Sequence, residues 1–172
     1  MPNLIAMLAY LIHDDTDANA ALAALAQKIA PRLRLAGAVQ HNIGAGQDCA
    51  CDMELTILGR PGMVIRISQS LGSGSQGCRL DSEALERAAG LTAGVLAQGA
   101  DLVIVNKFGK REAAGGGFRG LIGQALADGV PVLTAVAPEI LPAFLDFAGG
   151  LAVELAPDQA AGWCLAQAQT AA

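Results

Sequence analysis

Residues 101–112 read DLVIVNKFGKRE. Leu102 to Val105 form an apolar run, three of its four residues β-branched, and that composition favours a strand. A strand that is apolar without alternation is buried on both faces, as in a parallel sheet covered by helices on either side. The run ends on Asn106, and Lys107, Gly109, Lys110 and Arg111 follow at once. The segment therefore predicts a central strand that carries an amide and a group of cations to its carboxyl end.

The sequence on either side repeats strand and helix in turn. Downstream, Phe118 to Ala127 predicts a helix, VPVLTAV (130–136) a strand, and Glu139 to Ala148 a short helix with Pro142 tolerated in its first turn. LAVEL (151–155) is a further strand, and Pro157 starts a terminal helix. Upstream, Asp81 or Ser82 caps a helix running to about Gln98, with Leu85, Ala88, Ala89, Thr92, Val95 and Leu96 facing inward. Before it, CDMELTIL (51–58) and MVIRISQ (63–69) flank Gly59-Arg60-Pro61-Gly62, a turn sequence that predicts a β-hairpin. Gly37 opens a short strand, AGAVQHN (36–42), followed by the loop IGAGQDCA (43–50). At the start, NLIAMLAYLI (3–12) predicts a buried strand. A helix follows from about Ala18, with Asp17 as N-cap, Leu22, Leu25, Ile29 and Leu33 at helical spacing, and Pro31 kinking or ending it. Strand–helix alternation with connections of this length implies βαβ crossovers. The expected fold is α/β, a three-layer arrangement with a mostly parallel sheet, helices on both faces and an antiparallel β-hairpin insertion. One domain, 1–172, is expected from the length.

The chain is 53% hydrophobic with a formal charge of −5. That apolar content excludes intrinsic disorder, and the negative charge argues against nucleic acid and against an anionic membrane surface as partners. Mean hydropathy is high at +0.43, but alanine supplies it. The longest apolar run, Leu4 to Ile12, is far shorter than the ~20 residues of a membrane span. It lacks the basic start of a secretion signal, so a cytoplasmic location and reduced thiols are expected. The alanine-rich surfaces are compatible with a homodimer. Beyond Arg119 the chain has Asp128, Glu139, Asp146, Glu154 and Asp158 but no Lys or Arg. The bases that could meet an anion sit between Arg60 and Arg119.

In an open α/β sheet, ligands bind at the carboxyl ends of the strands, which points to residues 13–19, 41–50, 70–81, 106–117 and 136–139. The first of these, His13 to Asn19, has no glycine or lysine and three carboxylates, Asp14, Asp15 and Asp17. It suits a hard cation or a solvated helix start rather than phosphate. The glycine-rich stretch contains Gly72, Ser73, Gly74, Ser75 and Gly77, with Arg79 after it. Glycines there allow backbone N–H groups to converge on an anion, and the serines and Arg79 add donors. Asn106, Lys107 and Lys110, with Arg111 and Arg119 nearby, form a second set of oxyanion donors. Cys49, Cys51 and Cys78, with His41, offer thiolate and imidazole ligands for a metal, although the usual CxxC knuckle spacing is absent. Cys164, beside Trp163, is expected to pack in the interior. No Ser/His/Asp set is legible.

The segments LAGAVQ, CDMEL, IRISQSLGSGSQGCRLDSEAL, GADLVIVNKFGKREA, GVPVLTAV and FAGGLAVEL, in this order, resemble an uncharacterised bacterial family of unknown function. Genes of that family often lie near molybdate-transport or nitrogenase genes. The family in turn looks like a distant relative of the thermophile-type nucleoside-triphosphatases, which have a P-loop fold. The resemblance implies a P-loop NTPase-like scaffold and a role in molybdenum handling. In those enzymes the strand matching DLVIVNKFGK ends in an Asp-Glu pair before the shared Gly-Lys; here Asn106-Lys107 stands instead, and no phosphate loop is present at 13–19. Phosphoryl transfer depends on both parts. The expectation is therefore an accessory protein that binds a small anion, either a molybdate-like oxyanion or a nucleotide-like ligand, and does not hydrolyse it. Two alternatives stay open. One is a divergent nucleoside-triphosphatase using Mg²⁺ at Asp14, Asp15 or Asp17; the other is a thiol-based metal-binding protein.

Overall fold

The computed structural model describes residues 6–13, 18–43, 52–69 and 79–171. Seven strands form one sheet in the order β4-β3-β2-β7-β8-β1-β9. They are β1 (Leu8–Ile12), β2 (Leu35–Ile43), β3 (Asp52–Leu58), β4 (Val64–Arg66), β7 (Leu102–Phe108), β8 (Val132–Val136) and β9 (Ala152–Glu154). β2, β7, β8, β1 and β9 run parallel, and β3 and β4 extend one edge antiparallel. The expected hairpin is present, and β3 also pairs with β2, so it widens the sheet rather than standing apart from it.

The two faces carry separate cores. Helices α2 (Ser82–Ala97), α4 (Arg119–Ala127) and α5 (Leu141–Ala148) cover one. There Leu85, Ala88, Ile122, Ala125 and Phe144 meet Leu8, Ala38, Val103, Val105 and Val132. Helices α1 (Ala18–Ile29) and α6 (Ala160–Ala171) cover the other, where Leu22, Ile29 and Cys164 meet Ala9, Leu102, Ile104 and Leu133. Each inner strand thus alternates its side chains between two apolar layers, and this is why Leu102 to Val105 are all fully buried. Burial also pushes the Cys164 thiol up to about 12, leaving it neutral and a packing group. No helix among the described residues is long and apolar enough to cross a membrane.

Several boundaries follow from local chemistry. α1 ends at Ile29, ahead of Pro31. Asp81 caps α2, its carboxylate accepting from Glu83 N and Ala84 N at 3.1 and 3.2 Å. α5 stops at Gly149, which adopts the left-handed conformation. A 3-10 turn, Pro157–Gln159, leads into α6.

Three expectations need correction. The stretch MVIRISQ is not one strand. It breaks at Ile67, whose N–H donates to Met53 O and whose carbonyl accepts from Asp81 N. Ser68–Gln69 (β5) then pairs with Arg79–Leu80 (β6) in a separate ribbon. A four-residue helix, α3 (Lys110–Ala113), also stands within residues 106–117, a stretch expected to be loop. Finally, Gly37 does not open its strand but is its third residue. Its φ of +116° turns the backbone so that a Cβ there would collide with the Ile104 carbonyl of β7.

Asp101 lies just before β7 and accepts from Arg34 N at 2.8 Å and from the Arg34 guanidinium at 3.2 Å. The Arg34 backbone N–H, then its side chain, holds the Asp101 carboxyl below its ordinary value of 3.8. A carboxyl whose pKa is depressed by folding stabilises the fold above its unfolded pKa and loses that contribution as pH falls through the folded value. Urea titrations should show the parent losing this small contribution below about pH 4, and Asp101→Asn having no such component. Gly37→Ala should cost about 3 kcal/mol from the disfavoured φ and the clash together, read as a lower urea midpoint at unchanged slope.

Candidate functional site

The carboxyl end of β7 departs from regular pairing. β7 takes three steps from Val105 to Phe108 where β8 takes two from Thr134 to Val136, so β7 carries a bulge of one residue. On the other side, the β2–β7 register ends at Ala38 and Val105. Here the Asn106 side chain replaces a ladder bond. Its Oδ1 accepts from Gln40 N at 2.8 Å, and its Nδ2 donates to Asn19 Oδ1 at 2.7 Å. One buried amide thereby joins β7, β2 and the first turn of α1. Gln40 Nε2 continues the polar run to Asn42 Oδ1 at 3.0 Å. An aspartate at 106 would accept from Gln40, but its ionised form would have no donor for Asn19.

The bulge leaves Lys107 exposed between buried Asn106 and buried Phe108. Lys107 and Lys110 both line a cavity of about 320 Å³ at the strand carboxyl ends. Leu55, Ile67, Leu85, Phe108, Phe118 and Ile140 supply its apolar wall, and Gln40, Arg111, Glu112 and Glu139 also line it. Phe108 is fixed from behind, stacked on Phe147 at 5.3 Å between ring centres and edge-on to Phe144 at 5.1 Å.

The loop that presents the lysines is tied down by Glu112, a carboxylate only 3% exposed. Its Oε1 accepts from Gly109 N at 2.9 Å and its Oε2 from Phe118 N at 3.0 Å. Gly117, at φ +58°, passes so close to this carboxylate that a side chain there would collide with it. Gly117 N donates to Glu86 Oε1 at 2.6 Å, and Arg111 Nε reaches the same oxygen at 3.3 Å.

The predicted donors thus have different fates. Arg119 donates to the carbonyls of Glu112 and Ala113 and lies over the Phe147 ring at 4.9 Å, so it caps α3 and packs. Arg111 is paired with Glu86. Asn106 has internal partners for its oxygen and its nitrogen. Lys107 and Lys110 are the cavity cations with no ion-pair partner among the described residues. Arg79 belongs to β6 by its backbone. Gly72, Ser73, Gly74, Ser75 and Gly77, the carboxylates Asp14, Asp15 and Asp17, and Cys49, Cys51 and Cys78 lie outside the described residues. His41 is exposed on β2, opposite Glu54 of β3. Among the described residues, no group of three or more His, Cys, Asp or Glu is placed to hold a metal. His13, at the end of β1, donates its backbone N–H to Val136 O at 2.7 Å, while its buried Nδ1 has no partner among the described residues.

Sequence reasoning missed Glu112 and Gln40. Glu112 follows Lys110 and Arg111 directly and reads as their surface counter-charge; only the chain reversal at 114–118 shows that it is interior.

Residues 5–163 match the family described as "Protein of unknown function (DUF2478)". The "Molybdenum import ATP-binding protein ModC 2" of Bradyrhizobium diazoefficiens is 41% identical over 155 residues. The match covers 90% of this chain and 17% of that protein, so the chain spans about a sixth of the relative's length. No solved structure matches the chain.

Glu112→Ala should leave two buried N–H groups unanswered and cost about 3 kcal/mol in urea unfolding. Glu86→Ala, at the solvent-accessible end of the same loop, should cost under about 1 kcal/mol. Equal losses would show that Glu112 is not what anchors the loop.

Proposed function

The chain belongs to the DUF2478 family, and from that premise we propose that it is an accessory protein of molybdenum handling that binds a small anion without hydrolysing it. The ligand is a molybdate-like oxyanion or a nucleotide-like molecule, held in the cavity at the carboxyl ends of β2, β7 and β8. The observation that carries this reading is the pair Lys107 and Lys110, two cations lining one strand-end cavity and without ion-pair partners among the described residues. The molybdenum link rests on the similarity to a protein named for molybdenum import and ATP binding.

The scaffold is read as P-loop-like and as one domain, 1–172. Support comes from the parallel strand order, with β1 set between β8 and β9, and from two cores built on opposite faces of one sheet. The neutral, doubly bonded Asn106 supports binding over hydrolysis. It occupies the strand end where the resembled enzymes have a carboxylate pair, and its amide serves the fold. In the sequence, Gly72 to Gly77 and Arg79 stand in the connection that leads into α2, as further donors to the same anion.

Thermal-shift titration against molybdate, tungstate, sulfate, phosphate and Mg-nucleotides tests the reading. A ligand that binds the native state alone adds about 2.7 kcal/mol at a hundredfold excess over its Kd. At least one of these anions should raise the Tm. The double variant Lys107→Ala/Lys110→Ala should weaken its binding about tenfold or more, since a hydrogen bond to a charged group contributes about 1.5–3 kcal/mol. Unchanged affinity in the double variant would remove the lysines from the site. Phosphate release from Mg-ATP above a buffer blank would instead favour the nucleoside-triphosphatase alternative.

A further inference from the structure

The cavity wall and the cavity lip differ in chemistry, and the difference constrains the ligand. A bare tetrahedral oxyanion presents oxygen in every direction and is best held by donors on all sides. This cavity offers Lys107, Lys110, Arg111 and the amide of Gln40 on one side, while its opposite wall is Leu55, Leu85, Phe118 and Ile140 with no donor among those side chains. The deeper residues are fixed: Leu55, Leu85 and Phe118 are buried in the core shared by α2 and α4. Glu112 is turned toward the backbone, one N–H donating to each of its oxygens, and the other carboxylate of the lining, Glu139, is exposed. A volume of about 320 Å³ lies at the lower end of the roughly 300–1,000 Å³ of small-molecule sites. It exceeds what a single inorganic oxyanion needs, since one water occupies only about 30 Å³ of liquid.

We propose that the preferred ligand of this cavity is an organic anion, an apolar ring carrying one phosphate or carboxylate group. The ring lies against Leu85, Phe118 and Ile140, and the anionic group faces Lys107 and Lys110. The proposal rests on the anion-binding reading above and narrows its ligand class. It accounts for a feature that the lysines alone leave unexplained, an apolar wall that no described side chain fills. Placing a ring there removes the ring's own apolar surface from water, together with the exposed parts of Ile140 and Leu80.

The test compares phenyl phosphate with inorganic phosphate on the full chain by isothermal titration. The two probes share the anionic group and differ in the ring. Phenyl phosphate should bind about ten- to a hundredfold more tightly, the range expected for burying one ring. Ile140→Asn, a half-buried position, should bring phenyl phosphate close to phosphate while leaving phosphate affinity unchanged. Leu80→Asn, at the more exposed edge of the same cavity, gives a second variant with little risk to folding. Lys107→Ala should weaken both probes together. Equal affinities for the two probes would overturn the organic-anion proposal and leave the oxyanion reading standing. If phosphate, phenyl phosphate, molybdate and Mg-nucleotide all fail to bind, both proposals fall.

Discussion

The side chain of Asn106 stands where two parallel strands stop pairing, and the candidate site depends on that substitution. A parallel sheet buried on both faces leaves no water to satisfy a backbone group whose partner has moved away. The β2–β7 register ends at Ala38 and Val105, which would orphan Gln40 N, and the amide oxygen of Asn106 satisfies it instead. The remaining amide group then fixes the start of α1 through Asn19. A sheet, a helix start and an outward-turned lysine are thereby placed by one residue. Because the bulge adds one position, Lys107 faces solvent and Phe108 returns to the core, where two other aromatic rings, Phe144 and Phe147, hold it.

Most of the architecture is legible in the sequence because each element is decided by neighbours in the chain. Leu102 to Val105 need no distant partner to read as a doubly buried strand. Asp81 caps its helix through N–H groups two and three residues away. Pro31 follows the end of α1, and Gly59 to Gly62 make the hairpin turn. The failures have the opposite character. Ile67 breaks its strand because Met53 O and Asp81 N draw its backbone out of line. Gly37 is a glycine because of Ile104, far along the chain, and not because a strand begins there. Neither contact leaves a local signal.

The site was legible in outline and not in its assignments. The strand-end rule selected the end of the sheet at which the cavity lies, and Lys107, Lys110 and Arg111 line it. Which of them face a ligand depends on what each does inside the protein. Arg119 and Arg111 look equivalent to Lys107 and Lys110 in the sequence, yet Arg119 caps α3 and covers Phe147, and Arg111 pairs with Glu86. Arginine's planar fork suits it to such fixed structural contacts, whereas lysine keeps a flexible point charge at the surface. Asn106 has the same ambiguity: an amide at a strand end reads as a ligand contact until its partners, 66 and 87 residues away, are known.

The chain's charge decides how such a cavity can work. With a net charge of −5, long-range attraction does not draw an anion in, and at physiological salt any field fades over about 8 Å. The two lysines share their cavity with Glu112 and Glu139, so the positive character is confined to the lip. An anion recognised there must gain its affinity at contact, from desolvated hydrogen bonds and from buried apolar area. That requirement separates this site from a basic groove, which captures any polyanion by charge alone. On the proposed reading it ties selectivity to the shape of the wall formed by Leu85, Phe118 and Ile140. The Glu112 knot, which holds Gly109 and Phe118 at fixed separation, then sets the distance between lip and wall, and so the size of ligand that can touch both.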